Sequence, residues 1–131
     1  INSMLNFQGE TGPYVQYTFV RTKSVLEKAG YIPEYKEEYA DVLQDDASLT
    51  TIKIISNFGN VVKQAAEKNE PCFITRYLID LSQSFSNFYT VNKVITEDKN
   101  VQDARLYLTY MCNIILKSAA GLVGIQMPDR M

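Results

Sequence analysis

The chain has 131 residues, with 13 Lys and Arg against 15 Asp and Glu, a net charge of −2, and neither His nor Trp. That length suits one domain with a real core, and 46% hydrophobic with 21% charged residues excludes disordered and low-complexity classes. Without His there is no Ser-His-Asp triad, no Cys-His pair and no imidazole metal ligand, and two Cys, at 72 and 112, are too few for a structural zinc site and read as reduced thiols.

The first element is announced by Gly9-Glu10-Thr11-Gly12-Pro13. Thr11 and Gly12 suit a helix cap, and Pro13 suits the first helical position, where its missing N–H costs nothing. Val15, Phe19, Thr22, Leu26 and Ala29 then recur at helical spacing up to Gly30, which predicts a helix over 13–29. From Tyr31 to Ala47 the periodicity fails. Glu34, Glu37, Glu38, Asp41, Asp45 and Asp46 stand against Lys36, an acidic connector of net −5 with room for a helical turn. Ser48 is read as the cap of a second helix with Leu49, Ile52 and Ile55 inward and Gly59 as its stop. Asn60 is read as the cap of a third helix over 61–68, facing inward through Val62, Ala65 and Ala66.

Pro71 opens a fourth helix, and Ile74, Leu78, Leu81, Phe85 and Phe88 form an unbroken seam that carries it to about residue 89. A loop over 90–100 leads into a fifth helix, read through Val101, Ala104, Leu108, Met111, Ile115, Ala119 and Leu122, with Gly121 and Gly124 at its end. No segment alternates as a strand does, so the expected fold is all-α, an antiparallel bundle of about five helices in a single domain. No apolar run reaches the roughly 18 residues needed to cross a bilayer, and no signal peptide is visible. The chain begins with Ile1, so it reads as a piece of something larger.

Chemistry is sparse. There is no Walker A run and no dinucleotide fingerprint, and the paired carboxylates Glu37-Glu38 and Asp45-Asp46 lie in the connector, where solvated charge explains them. No catalytic and no metal site is expected. Aromatic residues are more informative. Phe85 and Phe88 belong to the seam, whereas Tyr89 sits about 100° around the helix at its end, either as the core's edge or as a stacking platform for a base. Outside the connector the chain carries a net +3, which allows a modest basic face through Arg21, Lys23, Arg76, Lys93, Arg105 and Lys117. The residues alone reach a helical bundle that binds RNA or protein.

Gly9-Glu10-Thr11-Gly12-Pro13-Tyr14-Val15-Gln16-Tyr17 resembles the opening of the C-terminal anticodon-binding, or DALR, domain of arginyl-tRNA synthetases. The likeness continues through Arg21, Ala29-Gly30, the run from Tyr77-Leu78 to Phe85-Ser86-Asn87-Phe88-Tyr89, Ala104-Arg105-Leu106, Leu122-Val123-Gly124-Ile125 and the terminal Pro128-Asp129-Arg130-Met131. Cysteinyl-tRNA synthetases have a related bundle but lack the opening motif. Departures are local: Phe19 stands where many members have His, Gly59 follows Phe58 where Pro is common, and Asp103-Ala104-Arg105-Leu106 transposes the letters of the family name.

The resemblance implies a cytoplasmic parent enzyme that joins arginine to tRNA(Arg) with ATP and Mg²⁺. This piece would hold the anticodon loop while the catalytic domain of the same polypeptide carries the chemistry. No cofactor is expected in the piece itself. By the same resemblance Arg21 lies near the anticodon loop, Tyr89 meets a splayed base, and Met131 packs on anticodon nucleotides. Tyr17, close to Arg21 in sequence, and Lys93, a turn beyond Tyr89, are added to that set. The competing expectation is a helical protein-interaction module without RNA binding, favoured by the acidic connector and the net negative charge. A free-standing enzyme finds no support in the residues.

Overall fold

The computed structural model describes residues 12–130, and every regular element in it is helical. The opening residues Gly9, Glu10 and Thr11 and the terminal Met131 lie outside the described residues. The elements are α1 (Gly12–Ala29), α2 (Tyr39–Val42), α3 (Asp46–Ser56), α4 (Phe58–Lys68), α5 (Cys72–Val91) and α6 (Lys99–Leu122). α1 packs against α5 and α6, α3 and α4 flank α5, and the single turn of α2 lies on α6.

The expected α1 is present and ends as its sequence demands. Gly30 adopts φ +84°, a left-handed conformation that a Cβ disfavours, and its N–H bonds the carbonyl of Leu26 at 3.0 Å. Two of its buried positions are threonines. Thr18 and Thr22 donate to the carbonyls of Tyr14 and Phe19 at 2.9 and 2.6 Å, so burial leaves neither hydroxyl unsatisfied.

The acidic connector contains one helical turn, as expected, and is tied down by Tyr39, which is 3% exposed and donates its hydroxyl to the Glu34 carbonyl. Ser48 is not the cap of the next helix. Asp45 is, accepting from the Ser48 N–H at 3.2 Å and its Oγ at 2.7 Å, because a carboxylate can take both donors at once. Ala47, Ser48 and Thr51 are its buried residues, Ile52 and Ile55 pack partly buried against the core as expected, and Leu49 is exposed. Gly59 does not stop this helix either. The chain bends at Asn57 and Gly59 lies inside α4, so Asn60 caps nothing; Val61 is the buried residue there, and Ala66 faces out. α4 ends at Asn69 in the left-handed region (φ 53°), with the Glu70 N–H returning to the Ala65 carbonyl.

On α5 the seam is as read: Ile74, Leu78, Leu81, Phe85 and Phe88 are all buried. On α6 the buried set is Ala104, Leu106, Leu108, Thr109, Cys112, Leu116, Ala119 and Ala120, wider than the one seam expected. Leu122, read as its last inward residue, is exposed. Gly124 (φ +75°) closes α6, with the Ile125 N–H on the Ala120 carbonyl.

Candidate nucleic-acid interface

Tyr17, Arg21, Ser24 and Lys28 recur every three or four residues and therefore share one face of α1. Tyr89 arrives beside them from the last turn of α5. The Arg21 guanidinium lies 5.2 Å from the centre of the Tyr17 ring and 4.9 Å from that of Tyr89, stacked against both. One of its nitrogens also reaches the Tyr17 hydroxyl at 3.4 Å. Such contacts contribute about 0.5–1 kcal/mol each at exposed sites, enough to fix a long side chain without burying its charge.

Tyr89 lies at the edge of the core. It is 38% exposed, yet its ring packs at 6.1 Å on Phe85, which is fully buried. The core holds one edge while the rest of the ring faces the groove. One turn along, Tyr14 donates its hydroxyl to Ser86 Oγ at 3.1 Å and pins α1 to α5.

The groove continues past Tyr89 to Lys93. Two adjoining cavities, about 340 and 370 Å³, share Val25, Lys28 and Tyr89 as walls. Their linings include Arg21, Lys28 and Lys93 and no carboxylate. Elsewhere the two larger concavities carry carboxylates: Asp80 between α3, α4 and α5, and Glu27 and Asp129 between α1, α6 and the tail. Exposed cations, exposed aromatic rings and no anion form the combination that draws an unpaired nucleic-acid strand.

The loop that carries Lys93 is held from three sides. Asn92 is 7% exposed and donates its amide to Asp45 Oδ2 at 3.0 Å. Burial would raise the Asp45 pKa, but hydrogen bonds from Asn92 and Ser48 outweigh it and hold the carboxyl below its usual range. Arg105 donates to the Lys93 carbonyl at 2.7 Å, and Val94 is buried.

Four of the five expected site residues thus meet: Tyr17, Arg21, Tyr89 and Lys93 line one continuous groove. The fifth, Met131, lies outside the described residues. The tail leading to it is fastened by the Gln16 amide on the Gln126 carbonyl at 3.0 Å and by a 2.7 Å ion pair between Lys23 and Asp129. Lys23 lies about 200° around α1 from Arg21. The six cations read as one basic face do not form one. Lys23 is paired to the tail, Arg105 is spent on a carbonyl, Arg76 lines the cavity with Asp80, and Lys117 lines the one with Asp129. Lys28, which sequence reasoning passed over, belongs to the groove, and its place eleven residues after Tyr17 was signal enough.

A family model for the DALR anticodon binding domain matches residues 15–131. An arginine–tRNA ligase of Halothermothrix orenii is 43% identical over 127 residues, 97% of this chain and 22% of that protein. One of Streptococcus suis is 39% identical over the whole chain and 23% of its own length. Among solved structures, a Thermus thermophilus arginyl-tRNA synthetase superposes with a TM-score of 0.75 at 29% identity, covering 99% of this chain and 23% of that one. The chain therefore spans less than a quarter of these relatives.

Proposed function

The chain belongs to the DALR anticodon-binding domain family, and from that premise we propose that it is the tRNA-reading part of a cytoplasmic arginine–tRNA ligase. In this reading it grips the anticodon loop of tRNA(Arg), and the catalytic domain of the same polypeptide performs the ATP- and Mg²⁺-dependent arginylation. Binding the loop holds the acceptor end of the tRNA at a distant active site, so recognition is converted into positioning of the reacting group.

One observation carries this reading: the Arg21 guanidinium stacked between Tyr17 and Tyr89 in a groove without carboxylates. Unpaired loop bases expose their faces to such rings, and the guanidinium fork suits a phosphate or a base edge. The bundle supplies rigidity, since both rings stand on helices packed into one core. The described residues offer no helix able to cross a membrane and no cluster of metal-binding side chains.

The test is a comparison of dissociation constants for arginine tRNA and a serine tRNA, measured by fluorescence anisotropy on the whole protein that carries this chain. Arginine tRNA should bind tighter, and changing its central anticodon base should weaken it by about 1–3 kcal/mol, the cost of a wrong base pair in DNA recognition. Equal binding of both tRNAs across a salt series would overturn the assignment.

A further inference from the structure

Tyr89 stands between two cavities. Toward Tyr17 its neighbour is Arg21, whose guanidinium lies 4.9 Å from the ring centre. The second cavity, of about 370 Å³, runs on between Lys28 of α1 and Lys93 of the loop after α5. Its apolar walls are Val25, Val94 and Ile95, and its rim is polar through Thr90. The Thr90 hydroxyl donates to the Ser86 carbonyl at 2.8 Å and so keeps its own lone pairs for a donor from outside.

This cavity is built before any ligand arrives. Asn92 is locked to Asp45, the Lys93 carbonyl to Arg105, and Val94 is 4% exposed. A wall fixed by side-chain hydrogen bonds does not have to be ordered on binding, which lowers the entropic cost of association. Two lysines line it from different elements, and no carboxylate is among its lining residues. An ammonium is a compact point charge with three donors, and it suits a phosphate oxygen.

We propose that this second cavity receives the nucleotide next along the strand from the one that stacks beside Arg21, with Lys28 and Lys93 closing on the phosphate that joins the two. Tyr89 then acts as the divider between consecutive bases. The inference rests on the groove being the RNA site, and it adds a second nucleotide position and assigns Lys28 to it.

The experiment uses the whole protein with Lys28→Gln, Lys93→Gln and the double variant, each titrated with the arginine anticodon stem-loop. A parallel series replaces one loop phosphate at a time by a neutral methylphosphonate. Neutralising one phosphate lowers the slope of log K against log salt by about 0.7 for a single strand. The double variant should therefore lose about 0.7, one phosphate's worth. A single linkage, the same one in each case, should weaken the unaltered protein when neutralised, weaken each single-lysine variant less, and leave the double variant unaffected. A loss of about 1.4 in the double variant, or different linkages for the two lysines, overturns the shared clamp. So does an unchanged slope. Arg21→Ala separates this from the parent reading. If it weakens the stem-loop while the lysine variants do nothing, the groove reads RNA and only the second position fails. If arginine and serine stem-loops bind the unaltered protein alike, both fall together.

Discussion

Truncating Tyr89 separates recognition from stability, because the ring is divided between the two. It is 38% exposed and touches the core through Phe85 at 6.1 Å, whereas its neighbour Phe88 has no exposure at all. Removing a fully buried aromatic side chain costs about 3–5 kcal/mol. Tyr89→Ala removes one tilted aromatic contact, about 0.5–1.5 kcal/mol, and one stacked guanidinium, about 0.5–1 kcal/mol, and so should destabilise by about 1–2.5 kcal/mol. Its effect on RNA is of comparable size in energy and larger in consequence. Loss of one base–aromatic stack is worth about 1–3 kcal/mol, a five- to 150-fold rise in the dissociation constant. Urea unfolding followed by circular dichroism gives the first quantity, and anisotropy with the arginine anticodon stem-loop gives the second. Tyr89→Phe should restore most of both, since the stacking face survives. The reasoning fails if Tyr89→Ala unfolds the domain as Phe88→Ala does, or if affinity stays within twofold while the fold is intact.

Gly59→Ala should stabilise the protein by about 0.5–1 kcal/mol: the residue lies inside α4, and nothing comes within 4 Å of the added Cβ. A lower urea midpoint would show that the glycine is needed as a helix stop after all. Asp45→Ala should cost about 1 kcal/mol at pH 7 by removing the α3 cap. The folded-state pKa of Asp45 is depressed, so its contribution is complete above the unfolded value of about 3.9 and is lost as pH falls through the lower folded value. The unaltered protein should therefore lose stability more steeply than Asp45→Ala below about pH 4; parallel acid-unfolding curves would refute this. Cys112 is fully buried, and burial pushes its thiol pKa up, while Cys72 is half-buried at the start of α5. A thiol reagent should modify Cys72 in the native protein and Cys112 at the rate of unfolding, as read by mass spectrometry.

α5 was readable because its large aliphatic and Phe residues fall on one unbroken seam; Thr75, Tyr77 and Ser82, buried beside it, gave no apolar signal. On α6 three buried residues, Leu106, Cys112 and Leu116, lie beside the expected seam and escape a one-seam template. The α3 boundary turned on a choice between Asp45 and Ser48, which local spacing does not make. It is decided by Asn92, 47 residues away, whose amide needs the Asp45 carboxylate. Gly59 misled because glycine marks a helix end only where a positive φ is required, as at Gly30 and Gly124. In the groove, Arg21 and Tyr89 were named through family likeness. Their stacking needed coordinates, since nothing in the sequence brings the end of α5 to the third turn of α1. Lys28 was missed for a different reason, since α1 was read for its apolar face and its opposite periodicity was left aside.

A chain of net −2 proposed to read a polyanion gains from keeping acidic groups away from its groove, and α6 screens part of the connector from it. Tyr31 donates its hydroxyl to Asp103, and Tyr35 and Tyr39 pack on Tyr107, so the connector from Tyr31 to Tyr39 covers the side of α6 on which Asp103 and Tyr107 lie, while Asp45 at its far end is hydrogen-bonded to Asn92 of the groove loop. Arg105, which holds the groove loop, lies about 200° around the helix from Asp103. A helix with its side chains is about 10–12 Å across, more than the Debye length of about 8 Å at physiological salt. At that ionic strength the connector's repulsion should be screened at the groove, and its remaining effect is on which face meets the RNA first. Glu37→Gln with Glu38→Gln, both on the exposed connector, should then leave affinity for the arginine stem-loop within twofold at 0.15 M salt. At 0.01 M, where the Debye length is about 30 Å, the same pair should raise it clearly, and should raise the affinity of an unrelated single strand still more. An equal gain at both salt concentrations would mean that these carboxylates lie at the groove itself, and the separation of charge by α6 would be wrong.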